Sequence, residues 1–554
     1  MNSPRMRRFG KLLLVVFALA CVLTTAAFAE GDAEVVSAVH GTIASLLPPV
    51  VAIGLALITK EVYSSLFLGI LVGCFLQVNG NPIDAFQFFV SHLCSNAGGN
   101  MGILMFLVIL GTMVALMIRA GGSKAYGDWA VSHIKTKSGA LWSTFILAIV
   151  LGVDDYFNNL TTGNVMRPVT DGHHISRAKL SYMCDATAAP VCIMMPVSSW
   201  AAAVTGVIGN EEVGFQIFLR AIPFNYYAIL TLVFIIVMTC LNIDYGPMRT
   251  HELNAAKGDL YTTPERPFAG VEEMKFNPNG KVIDLVLPVL VLVGCCVGSM
   301  VYVGYQNGGT DLIPAFANTS AFDALPLGSL VALIFTMIFF MVRRAMSFTE
   351  LMDCLPNGFK QMVPAILILC LAWTIGDVTK GLGAPEFVAG IVKNLSGSLY
   401  ALLPAVVFII AAFLGFATGT SWGTFTILLP IVIPVFSGGI PAADLTSELI
   451  NGNDMLMIAI AATLGGAVMG DHCSPISDTT IMASSGAQCY HLNHVATQLP
   501  YAVTVAVVAF VNYIITAFIQ VPFICLPIAI VSMVVVMLVI GKVNHSMNRH
   551  SQRD

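Results

Sequence analysis

Charge is what this sequence lacks. Only 10% of its 554 residues are Asp, Glu, Lys or Arg, against about 25% in a soluble domain. With 57% hydrophobic residues and a mean hydropathy of +0.83, that shortage excludes a soluble globular chain and leaves a polytopic membrane protein. No basic run resembles a nucleic-acid footprint, and the net charge of −5 is small, so nucleic acid is not expected as a partner. CxxC pairs are missing too. The 13 cysteines are scattered, mostly within apolar runs such as those of Cys74, Cys240, Cys295 and Cys370. They read as buried thiols rather than a disulfide framework or a transition-metal site. No nucleophile–base set, metal-ligand spacing or phosphate loop appears, which disfavours an enzyme or sensor and implies no cofactor.

What is abundant is apolar length. Segments of spanning length fall near 42–59, 62–78, 101–119, 180–208, 217–241, 281–303, 325–342, 362–378, 455–482, 497–518 and 521–541. Two further apolar regions, 139–170 and 398–437, have polar, Gly-rich centres, and the longest hydrophilic segment is 242–280. At the N-terminus, Arg5, Arg7, Arg8 and Lys11 precede the short apolar run Leu12 to Leu23 and an Ala27-Phe28-Ala29 site. This favours a signal peptide over residues 1–29, with an uncleaved first helix as the alternative.

Basic residues set the orientation. Lys60, Arg119 to Lys137, Arg249 to Lys281, Arg343 with Arg344, and the tail 542–554 belong to the cytoplasm. The loops 79–100, 209–216 and 304–324 lack Lys and Arg and belong outside. That places the chain in a bacterial-type inner membrane with a cytoplasmic C-terminus. The pattern closes only if 139–170 enters from the cytoplasm and returns, and 398–437 does the same from outside. Two re-entrant hairpins from opposite faces point to inverted repeats. Weak matches in shared order support them. Gly121 to Ala130 pairs with Leu382 to Ala389, Phe145 to Gly152 with Phe408 to Gly415, and Asp185 to Pro190 with Asp471 to Pro475. The expected fold is therefore all-α, with about 11 spans in the mature chain. It comprises a first repeat over 42–241, a linker over 242–280, a second repeat over 281–518 and an extra helix over 521–541.

Chemistry concentrates in four stretches. The hairpin tips are Gly152 to Asn164, holding Asp154, Asp155, Asn158, Asn159 and Thr161, and Gly415 to Thr424, holding Thr418, Thr420 and Ser421. Glycine lets the backbone approach an ion, and carbonyls, amides and hydroxyls are hard oxygen ligands of the kind an alkali cation needs. Pro190, Pro196 and Pro475 should break two helices and free carbonyls. Asp185 and Ser198 flank one break; Asp471, His472, Ser474, Ser477, Asp478 and Thr479 surround the other. Polar groups in such apolar surroundings survive only where buried in protein or lining a watery cavity. Each has a plainer reading: Asp185 and Asp471 as helix caps, Asp154 and Asp155 as a solvated pair, His472 as a satisfied buried histidine. Trp200 and Trp422 read as packing, Arg167 as a headgroup anchor, Asp377 as structural, and His173 and His174 as solvated.

Four motifs carry a resemblance: Asp154 to Asp171, Ser176 to Tyr182, Asp185 to Cys192 with Pro196 to Trp200, and Gly470 to Thr480. Over about residues 45 to 520 the chain resembles the NhaC family of Na+/H+ antiporters, within the larger ion-transporter superfamily. The resemblance implies exchange of Na+ for H+ across the cytoplasmic membrane. It leaves the substrate open, because similar relatives move organic solutes, malate with lactate in one group and amino acids in others. Under antiport, a carboxylate removed from water keeps its proton toward neutral pH, and Na+ competes for the same oxygens. Under the alternative, Na+ or H+ drives an organic solute; the lack of a clear intramembrane Arg or Lys argues mildly against a carboxylate. The partners are then Na+, H+ and the lipid bilayer, and a homodimer is one option.

Overall fold

The computed structural model describes residues 37–551 apart from 60, 153, 197, 209–210, 267–276, 311–314, 316–318, 385, 388–399, 439 and 441. The expectation for residues 1–29 lies outside the described residues. Every regular element among the described residues is a helix. Six are long and apolar enough to cross a membrane, or eight if each of two bent pairs is one span.

The first group is α1 (Leu47–Thr59), α2 (Val62–Gln77), α3 (Pro82–Gly99), α4 (Met101–Arg119) and α5 (Gly122–His133). The expected outer loop 79–100 is instead mostly α3, bent 119° from α2. Its start is written locally: Asn81 caps the amide of Ile83, Pro82 opens the helix and Asp84 lies in the first turn. Next come α6 (Lys137–Val150) and α7 (Asp155–Gly172). These two legs meet at Leu151 to Asp154, and Asn158 Nδ2 crosses the tip to Ala148 O at 2.8 Å. Then follow α8 (Arg177–Cys192), α9 (Ser199–Ile208), α10 (Glu211–Ala221), α11 (Tyr226–Leu241) and α12 (Gly246–Ala255), the last inside the hydrophilic segment 242–280.

The second half holds α13 (Ile283–Gln306), α14 (Ala321–Val342) and α15 (Phe348–Gly381). Helix α15 runs antiparallel to α4 and packs against α3. Arg119 bonds Glu350 at 2.9 Å at one end, and His92 meets Asp377 at 2.6 Å at the other. Helices α16 (Leu403–Thr418) and α17 (Ser421–Phe436) are joined by Gly419, whose φ of +68° suits glycine. They are followed by α18 (Asp454–Cys473), α19 (Asp478–Gly486), α20 (His491–Ile519) and α21 (Pro522–Ser551). The tail read as 542–554 thus continues α21 as far as Ser551.

Helices α16 and α18 lie parallel with touching backbones. A Cβ at Gly470 would stand 2.1 Å from Ala412 O, and one at Gly466 would stand 2.3 Å from Phe408 O. Small residues permit such contact where apolar association alone gives little drive. Two apolar clusters result. One is built on Trp200, Tyr227, Phe408 and Val468, the other on Phe106, Met113, Phe157, Ile476 and Ile481. The acidic helix ends fall at their boundary.

Candidate ion-binding site

Four helix ends supply the site. Asp154 caps α7, accepting the amide of Phe157 through Oδ1 at 2.9 Å. Its Oδ2 and the Ser199 Oγ are both buried with no geometric hydrogen-bond partner among the described residues. Asp155 is also fully buried. Its Oδ2 accepts two indole N–H groups, from Trp200 at 3.0 Å and Trp422 at 3.2 Å. These rings start α9 and α17 and stand 5.8 Å apart. The reading of both tryptophans as packing is corrected: they pack, and they also hold a carboxylate.

Helix α18 ends at Cys473 because Pro475 has no amide to offer and Ser474 turns extended. Ser477 then caps α19 through the amide of Thr480 at 3.1 Å. Asp471 and Asp478 are thus not one helix face but the two sides of a break. Asp471 Oδ2 accepts Thr479 Oγ1 at 3.0 Å, while Oδ1 has no partner among the described residues. Asp478 Oδ2 accepts the Tyr156 hydroxyl at 2.7 Å, and Oδ1 accepts the amide of Thr479 at 2.8 Å. The break leans on the tip between α16 and α17: Ser474 Oγ donates to Phe416 O at 2.8 Å.

Asp185 lies on α8, away from any cap. Its Oδ2 gathers Gln498 Nε2 at 2.6 Å, His494 Nε2 at 3.1 Å and Thr480 Oγ1 at 3.1 Å. Thr480 Oγ1 also lies 3.3 Å from the main-chain Asp471 O, so one hydroxyl stands between the Asp185 carboxylate and the Asp471 backbone. His472 Nδ1 meets the Tyr227 hydroxyl at 3.0 Å, and its Nε2 has no partner among the described residues. A single polar chain follows: the tryptophans, Asp155, Tyr156, Asp478, Thr479, Asp471, Thr480, Asp185, His494.

The expected residues divide. Asn159, Thr161 and Ser421 are buried with unpartnered side-chain atoms among the described residues. Asn158 staples a tip, Thr418 bonds back to Leu414 O, and Thr420 caps Gly423. Ser198 is spent closing the α8–α9 break, donating to Cys192 O and capping Ala201. Pro196 lies in that break, but Pro190 does not make it. The helix runs through Pro190 to Cys192, because so near its end the lost amide removes one bond and little follows to be displaced.

Arg167 is buried beside Asn164 rather than reaching headgroups. His173 is half-buried, its two ring nitrogens at the carbonyls of Val169 and Ile134. Lys179 is buried against Asp244, which also accepts Tyr501 at 2.8 Å. Tyr156, Thr480, His494 and Gln498 were missed. Their only signal was polarity within apolar stretches, which Thr480 shared with its neighbours and the others scarcely carried.

Buried carboxylates with spare oxygens at broken helices can exchange a proton for a hard cation. With apolar helices of spanning length, this defines a polytopic membrane transporter. Residues 191–518, more than half of the chain, match the Na+/H+ antiporter family, and the chain belongs to that family. An uncharacterized protein of Haemophilus influenzae is 35% identical over 86% of this chain and 91% of its own length. The malate-2H+/Na+-lactate antiporter of Bacillus subtilis is 28% identical over 32% of this chain and 35% of its own. The arginine/ornithine antiporter of Halobacterium salinarum is 30% identical over 30% of this chain and 31% of its own.

Proposed function

We propose that the protein exchanges cytoplasmic Na+ for external H+ by alternating access. One observation carries this reading: Asp471 is fully buried at a broken helix with one oxygen bonded to Thr479 and the other unpartnered among the described residues. Such an oxygen takes either a proton or Na+. If the loaded carrier holds one or the other but never neither, competition alone gives exchange. Asp478, Asp185, Asp154 and Asp155 extend the same choice along the polar chain.

The moving parts in this reading are two inverted repeats, 42–241 and 281–518, joined by the cytoplasmic linker 242–280. Helix pairs α6–α7 and α16–α17 act as re-entrant hairpins from opposite faces, and the tail lies in the cytoplasm. The order of elements supports it, since each pair is followed by a broken helix, α8–α9 in one half and α18–α19 in the other. The relatives named for malate with lactate, and for arginine with ornithine, favour the alternative of an ion-coupled organic-solute carrier.

One assay separates the two. The purified protein is placed in vesicles with a pH-sensitive dye, and NaCl is added with no organic solute present. Dequenching supports antiport. No dequenching, together with Na+-driven uptake of a labelled solute, contradicts it.

A further inference from the structure

We propose that the hydrophilic linker between the two halves is a clamp that ties α8 to α20, and that Asp244 within it positions the partners of Asp185. The clamp runs from Asp244 to Thr263, and its polar contacts converge on α8 and α20. These are the same two helices that meet at Asp185, where Gln498 and His494 of α20 hold a carboxylate of α8. Joining two repeats needs only a tether, so the clamp goes beyond the function proposed above; its consequence for exchange rests on that reading.

Lys179, fully buried in α8, pairs with Asp244 of the linker. Asp244 also accepts the Tyr501 hydroxyl of α20 at 2.8 Å, so one linker carboxylate bridges the two helices. Further along, Glu252 Oε1 accepts the amide and the hydroxyl of Ser176, the cap of α8, at 2.9 and 2.7 Å. Leu260 O accepts the amide of Arg177 at 3.1 Å. Asn493, in the first turn of α20, donates to Thr263 Oγ1 at 2.7 Å. A linker that served only as a tether needs none of these bonds. A buried ammonium without its partner is costly, so Asp244 is not a replaceable surface charge.

The bridge stands next to Asp185. Tyr501 and Gln498 are three residues apart and share one face of α20. The first holds Asp244, and the second holds Asp185 Oδ2 at 2.6 Å. On α8, Tyr182 lies midway between Lys179 and Asp185 and meets the Tyr501 ring edge-on, with centroids 4.9 Å apart. Lys179 to Asp185 spans about 9 Å of helix. Close-packed side chains pass a displacement on rather than absorb it. A shift of α20 against α8 at Asp244 therefore moves Gln498 and His494 against Asp185. Asp244 is a positioning residue: it acts through Tyr501 and α20 rather than by touching the exchanged ion.

The test uses the purified full-length protein with its histidines labelled by heavy nitrogen for magnetic resonance. The ring signal of His494 is identified by its loss in His494→Gln. Tyr501→Phe removes the bond to Asp244 but keeps the ring and the Lys179 pair, so it leaves no buried charge unpaired. We expect the His494 signal to move in Tyr501→Phe, while that of His92, which meets Asp377, stays. Asp244→Asn should move it too, and Asp244→Glu, which restores the charge, should return it toward the parent position. If Asp244→Asn fails to fold around a lone buried ammonium, Tyr501→Phe decides. In vesicles, the half-saturating Na+ concentration of Tyr501→Phe should rise about threefold to tenfold with the maximal rate little changed. An unmoved His494 signal in Tyr501→Phe overturns the inference, as does a lower maximal rate at unchanged half-saturation, which marks lost folded protein rather than lost positioning. A moved His494 signal, in a protein whose parent gives no NaCl-driven dequenching, leaves the clamp standing and removes antiport.

Discussion

The Tyr156 hydroxyl donates to Asp478 Oδ2 across 2.7 Å, joining the first turns of α7 and α19, which are 322 residues apart in sequence. The residue before Tyr156 is Asp155, held by Trp200 and Trp422. The two acidic helix starts therefore close on each other through one aromatic side chain. A change at either start is felt at the other without a contact between the carboxylates themselves.

Tyr156→Phe keeps the ring and deletes the donor. A hydrogen bond to a charged group contributes about 1.5–3 kcal/mol. We expect Na+-driven dequenching in vesicles to slow about tenfold or more while the protein stays folded. A rate equal to that of the parent would take Tyr156 out of the polar chain.

Trp200 and Trp422 serve one oxygen of Asp155, so their losses should not add. Each Trp→Phe change removes one donor and leaves the other. The double change leaves Asp155 Oδ2 buried without either, at about 1–3 kcal/mol for an unsatisfied buried group. Thermal unfolding in detergent should show the double variant falling further than the two single shifts summed. Simple additivity would mean that the indoles only pack.

Gly470→Ala would place a methyl group 2.1 Å from Ala412 O, against backbone that cannot rotate away. We expect α16 to be pushed off α18 and the melting temperature to drop, by the roughly 1–3 kcal/mol of an overpacked core. Gly298→Ala is the control, because nothing stands within 4 Å of its Cβ. Equal stability of the two variants would contradict the close backbone approach.

Glu350, at the start of α15 and outside the apolar span, is held below the ordinary glutamate range. The Ser347 amide, its hydroxyl and then the Arg119 guanidinium all favour the charged form. The folded value is depressed, so the stabilisation is present above the unfolded value and is lost as pH falls through the folded one. Hydrogen exchange at the Ser347 amide, corrected for intrinsic rates, should accelerate in that acid window. Glu350→Gln should remove the pH dependence.

The polar stretches that make up the candidate site were legible in the sequence, but their wiring was not. Lipid penalises polar groups so strongly that Asp154, Asp155, Asp471 and Asp478 stood out inside apolar runs, and Pro475 with its serines marked a real break. Partners were another matter. His494 and Gln498 begin a long helix whose start looks like any polar helix end, yet they fold onto Asp185 from more than 300 residues away. Pro190 misled because a local rule ignores position: two residues from a helix end, a missing amide changes little.

The central claim is that Asp471 carries the exchanged ion, and Asp471→Asn tests it most directly. The variant keeps size and hydrogen-bonding capacity at the break and removes the charge. Reconstituted in vesicles, it should show no Na+-driven dequenching while keeping the parent's helical content and detergent elution. Full exchange in that variant would contradict the account.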